Sequence, residues 1–143
     1  MKFVWLKIMI AAILLFLGGL VYVAFRSQTL VMFSWFHALN LDSIVETIRE
    51  KSISIQLPDF CKYCLPNGLW TSSYILMVEA LISVDNHQML WASILPGIAI
   101  LFEILQIWHI IPGTFDMGDW CCFFFPFIIY IVIYNTKYHE EVP

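Results

Sequence analysis

Charge is what this chain has least of. Only 13% of its 143 residues are Asp, Glu, Lys or Arg, about half the share usual in soluble domains. Lys and Arg together number 7 against 11 Asp and Glu, a formal net charge of −4, so the basic surface that nucleic-acid binding needs is missing. No Lys or Arg occurs between Lys62 and Lys137. Also absent are a Gly-rich phosphate loop, a nucleophile elbow and an H-E-x-x-H pair. The four histidines, His37, His87, His109 and His139, never fall at H-x-x-x-H spacing; no metal or cofactor is expected. No small-x-small cleavage site follows the first apolar run at Ala24-Phe25-Arg26. That run exceeds the roughly 7 to 15 residues of a signal-peptide core, so it is expected to be retained.

What the chain has instead is apolar length: 61% of its residues are hydrophobic and 17% aromatic, with a mean hydropathy of +0.81. A helix needs roughly 20 apolar residues to cross a bilayer. The composition therefore points to an all-α integral membrane bundle forming one domain over 1–143, with no room for a separate soluble domain. Four transmembrane helices are expected, at 3–25, 69–84, 89–111 and 120–134. In the first, Lys7 lies near enough to the end to snorkel, and Ala11, Ala12, Gly18, Gly19 and Ala24 are small enough for a neighbour to approach.

The stretch 26–66 is polar, with four basic and four acidic residues. Leu30, Phe33, Trp35, Phe36 and Leu39 suggest an apolar face on an amphipathic loop lying at the membrane interface. Asp42-Ser43 reads as the cap of a second short helix. Leu65-Pro66-Asn67-Gly68 reads as a turn, and Asp85-Asn86-His87-Gln88 as a tight polar connection. Four spans put both termini on one side of the membrane and the loops 26–66 and 112–119 on the other. Positive charges on the two sides nearly balance, and Lys2 before the first helix favours cytoplasmic termini. Trp5, Trp70, Trp91, Trp108 and Trp120 fit aromatic belts.

Polar residues inside such helices are costly, which makes them candidate site residues. Glu79 in the second span and Glu103 with Gln106 in the third are expected at similar depth, each about 12 to 15 Å from the same membrane face. Asp116 and Asp119 follow the Pro112-Gly113 break. Ser72, Glu79 and Ser83 fall on one side of their helix, and Asp119, Cys122, Pro126 and Tyr130 on one face of theirs. Two carboxyls held together in low dielectric cannot both ionise, so Glu79 and Glu103 are expected to share a proton. The alternative is that each is protonated alone and bonds a neighbouring helix.

Glu103-x-x-Gln106 followed by Pro112-Gly113-Thr114-Phe115-Asp116-x-x-Asp119 resembles the signature of the VanZ-like family, small bacterial membrane proteins named for a teicoplanin-resistance protein. Leu65-Pro66-Asn67-Gly68-Leu69-Trp70 also resembles a segment of divergent members. The resemblance implies a multi-pass protein of the bacterial inner membrane and cell envelope, with Glu103, Gln106, Asp116 and Asp119 in a polar cluster; it implies no known reaction. Family members commonly carry an Arg in the turn, near Thr114. Without it the acids lack a nearby fixed cation, and a proton, an exogenous cation or a cationic ligand group must balance them.

Cys61-x-x-Cys64 ends the long loop and Cys121-Cys122 begins the fourth span, so both pairs belong to one membrane face. Membrane thiol oxidoreductases that pass electrons to quinone share this arrangement. A structural disulfide between the pairs, or four free apolar thiols, is the alternative. The expected role is a non-enzymatic envelope function binding a lipid-linked or amphiphilic molecule in a polar pocket. The competitors are a thiol oxidoreductase and a structural subunit bound to a membrane protein partner.

Overall fold

The computed structural model describes residues 2–82, 86–111 and 115–141, with the side chains of Lys2, Asn86 and residues 137–141 left aside. Among the described residues seven helices run in chain order: α1 (Lys2–Phe25), α2 (Val31–Ala38), α3 (Asp42–Ser52), α4 (Asp59–Tyr63), α5 (Leu65–Leu81), α6 (Asn86–Ile107) and α7 (Met117–Glu141). No strand occurs among the described residues. Three stretches are long and apolar enough to cross a membrane: Phe3–Phe25, His87–Ile107 and Met117–Thr136. The 17 residues of α5 come to about 26 Å at 1.5 Å per residue.

The boundaries differ from expectation for local reasons. Leu65-Pro66-Asn67-Gly68 is the first turn of α5, not a turn before it; proline suits a position whose N–H has no helical partner. Asn86, His87 and Gln88 likewise open α6, and Gln88 Nε2 donates to Ile82 O (2.7 Å) at the end of α5. Helix α6 stops at Ile107 rather than 111. His109 takes φ 54°, its N–H donates to Gln106 O, and the N–H of Ile110 donates to Leu105 O, the pairing of a Schellman stop. Asn40, at φ 56°, ends α2 in the same way. Asp42 does not cap α3, whose N-cap is Leu41; its carboxylate meets His37 Nδ1 at 2.8 Å instead. Ser83, Asp85 and the turn at Pro112, Gly113 and Thr114 lie outside the described residues.

Helix α5 is the hub. It runs antiparallel to α1: a Cβ on Gly18 would lie 2.6 Å from Trp70 Nε1, Ser73 Oγ donates to Ala11 O (2.7 Å), and Lys7 Nζ meets Glu79 at 2.9 Å. Trp70 packs on α1, its ring tilted against that of Tyr22 with centroids 5.3 Å apart. Gly18 supplies the close approach, whereas Gly19 faces open space.

On its other side α5 runs parallel to α7. Gly68 lies against Cys122, with 3.4 Å between its built Cβ and Cys122 O. Pro126 cannot donate to that carbonyl, four residues earlier, so the freed oxygen faces the glycine. Ile75, Val78, Ala92, Tyr130 and Tyr134 form the core between α5, α6 and α7. Outward-facing apolar residues such as Phe16, Phe102, Phe125 and Val132 stay exposed, as a lipid-facing belt requires.

The long loop folds back onto the end of α1. Arg49 of α3 donates through Nη1 to Val23 O and Arg26 O, both at 2.9 Å, covering carbonyls the helix end leaves open. Phe33 is buried beneath this joint, while Trp35 and Leu39 of the same hairpin stay exposed.

Candidate functional site

The ends of α5, α6 and α7 nearest the long loop bring four polar side chains together, and the helix register explains each. Asp116 immediately precedes α7. Its Oδ1 accepts the Gly118 N–H at 2.7 Å and its carbonyl accepts the Trp120 N–H at 3.0 Å, which makes it the N-cap of that helix. Its own N–H donates to Glu103 Oε2 at 3.3 Å, so the buried Glu103 of α6 holds the start of α7. Three residues on, Asp119 Oδ1 accepts Asn67 Nδ2 of α5 at 2.8 Å, and the Cys64 thiol lies near the same carboxylate. Two acids from α7, one from α6 and an amide from α5 thus tie three helices at one end.

Arg26, at the end of α1, makes no ion pair with these acids among the described residues, but its charge acts on Asp119 at longer range, and its guanidinium sits 5.6 Å from the Tyr22 ring centroid and 5.3 Å from that of Tyr63. The expectation that no fixed cation stands near these acids is modified to that extent. Sequence order hid Arg26, because the helices of the long loop return to the end of α1.

Glu79 is placed elsewhere. About 21 Å separates it from the Leu65 end of α5, whereas Glu103 is only about 6 Å from the Ile107 end of α6. The expected depth match rested on helix ends at 69 and 111; an earlier start and an earlier stop move the two glutamates apart. Glu79, within one turn of the Leu81 end of α5, pairs with Lys7, their side chains 10% and 30% exposed. Gln106 is half-buried in the last turn of α6, one turn beyond Glu103.

All four cysteines are free and stand at the same end. Cys64 and Cys122 are buried, and Cys61 and Cys121 half-buried. Cys64 packs on Gly118, where a built Cβ would come 2.5 Å from its Sγ. Burial, and after it the charges of Asp119 and Asp116, push the Cys64 thiol up to about 12. A thiol held protonated is a poor nucleophile. Among the described residues no three His, Cys, Asp or Glu side chains are placed to hold a metal ion.

Sequence reasoning missed Asn67, Arg26 and Gly118 as partners of the cluster. Asn67 carried a readable signal: once Pro66 is placed in the first helical turn, Asn67 falls on the face toward α7. Neither a protein-family model, nor a curated protein, nor a solved structure matches the chain.

Proposed function

We propose that the chain is a four-span protein of the bacterial inner membrane, of the VanZ-like type, with cytoplasmic termini. It binds a lipid-linked or amphiphilic molecule at the membrane face where the long loop lies, with no reaction assigned to it. In this reading α5 is the fourth span. The observation that carries the proposal is the convergence of Glu103, Asp116 and Asp119 at one end of α6 and α7, with no ion pair to any of them among the described residues and Arg26 acting on Asp119 only at longer range. Three acids against one base favour a head group that is cationic or rich in hydrogen-bond donors, because buried carboxylates are stabilised by opposite charge. At the same end α3 and α4 pack on α1, and α4 also on α5, and the segment carries exposed apolar side chains such as Trp35 and Phe60 suited to a membrane interface.

Native mass spectrometry of the protein extracted in lipid tests this. An amphiphile is expected on the wild type and not on a folded Glu103→Gln/Asp119→Asn variant. An empty wild type, or equal retention by the variant, contradicts the proposal. Co-purification of one stable protein partner without a ligand favours the structural-subunit reading. Of the four thiols the redox reading would use, Cys64 is held protonated by burial and is a poor nucleophile.

A further inference from the structure

A cavity lies midway along α5 and α7, away from the acidic end. Its volume is about 310 Å³, and its walls are Ser72, Ile75, Leu76, Glu79, Phe125, Pro126, Ile129, Tyr130 and Ile133. That size is at the small end of what ligand pockets offer. The walls are almost wholly apolar. Ser72 is occupied by its own helix, its hydroxyl donating to Gly68 O at 2.8 Å.

Tyr130 is the exception. It is 2% exposed, and its hydroxyl is buried with no hydrogen-bond partner. A buried hydroxyl without a partner is costly, and native proteins usually satisfy it. Tyr130 lines the α5–α7 cavity, but its oxygen is closed to a water-sized group, so a partner entering there reaches it when the tyrosine ring turns toward the cavity. The nearby charges are already matched, since Lys7 pairs with Glu79 at 2.9 Å. A further ionic group would unbalance that pair in a medium of low dielectric.

We propose that this cavity binds a neutral amphiphile, an apolar chain ending in one hydroxyl or carbonyl oxygen, with that oxygen bonded to Tyr130 Oη. Ser72, Phe125 and Pro126 also line the adjoining cavity beside Cys121 and Cys122, so the space continues along α7. From Cys122 to Tyr130 this gives roughly 12 Å for the chain. The site is separate from the acidic end and does not depend on what binds there.

The test uses the full chain in phosphatidylcholine–phosphatidylglycerol nanodiscs and a diazirine-bearing twelve-carbon alcohol, with labelled peptides mapped by mass spectrometry. Label is expected on 75–79 and 125–133. Dodecanol is expected to compete at least tenfold better than dodecane, dodecylamine or dodecanoate. Tyr130→Phe should abolish that preference and raise the Tm of the alcohol-free protein. If Tyr130→Phe lowers the Tm instead, Ile129→Trp, which fills the cavity from its exposed wall, should remove the label. Equal competition by dodecane, stronger competition by a charged amphiphile, or an unchanged preference in the folded variants overturns the proposal.

Discussion

Cys64 shows how a single position can be set by several elements at once. It precedes α5, packs on Gly118 of α7, lies near Asp119 and is buried. Its thiol is raised from 9.0 to about 12 by burial first and by the neighbouring carboxylates second. Iodoacetamide at pH 8 is therefore expected to modify the half-buried Cys61 and leave Cys64 unmodified until the protein unfolds; equal rates would contradict the burial described. The sign for stability follows from the same shift. Below pH 9 the thiol is protonated in both folded and unfolded chains, and its contribution is fully present. As the pH rises from 9 toward 12 the unfolded chain releases the proton and the folded one keeps it, so that contribution is lost. Asp116 is the converse case, a residue with a plain structural task. As the N-cap of α7 it would have been readable from an Asp before a helix, had the helix start been set at Met117 rather than Trp120.

Among the elements, the joint between α1 and α3 depends on one side chain. Arg49 caps two carbonyls of α1 and lies 6.0 Å from the Phe33 ring centroid. Charge-assisted hydrogen bonds contribute about 1.5 to 3 kcal/mol each to stability. Arg49→Ala is expected to lower stability by about 3 kcal/mol and to open the 26–66 segment to limited proteolysis, with Arg49→Lys intermediate. Unchanged proteolysis in Arg49→Ala would mean that the hairpin is held by its apolar contacts alone. The helices themselves were largely legible from apolar length. Their ends were not, because the stops at Asn40 and His109 depend on φ near 55°, which His rarely announces. The amphipathic reading of α2 was also incomplete: Phe33 faces inward onto Tyr22, with ring centroids 6.1 Å apart, a contact that exists only once α1 and α2 are joined.

At the scale of the whole molecule, polar residues fall into two groups that the sequence read as one. Glu103, Asp116 and Asp119 were legible as a cluster, since polar residues at fixed spacing around a helix break stand out in apolar surroundings. Glu79 was drawn into that cluster by helix ends placed a turn too far along. Its actual partner, Lys7, lies 72 positions earlier and becomes a neighbour only through antiparallel packing of α1 on α5. Removing one member of a fully buried ion pair costs about 3 to 5 kcal/mol and of an exposed one about 0 to 1 kcal/mol; this pair is half-buried, its side chains 30% and 10% exposed. Lys7→Met and Glu79→Gln are each expected to destabilise by about 1 to 3 kcal/mol, and the double variant by less than the sum. Strict additivity in thermal unfolding would show that the two charges do not interact.

The central claim is that α5 crosses the membrane together with α1, α6 and α7, so that the long loop and the acidic end share one face. Single cysteines at Lys2→Cys, Ser54→Cys, Met117→Cys and Thr136→Cys, on a background with the native cysteines replaced, test it by labelling with a membrane-impermeant maleimide in oriented vesicles. Four spans predict that positions 2 and 136 label from one side and positions 54 and 117 from the other. Labelling of 2 and 136 from opposite sides, with 54 and 117 also divided, would leave only three helices crossing and contradict the account.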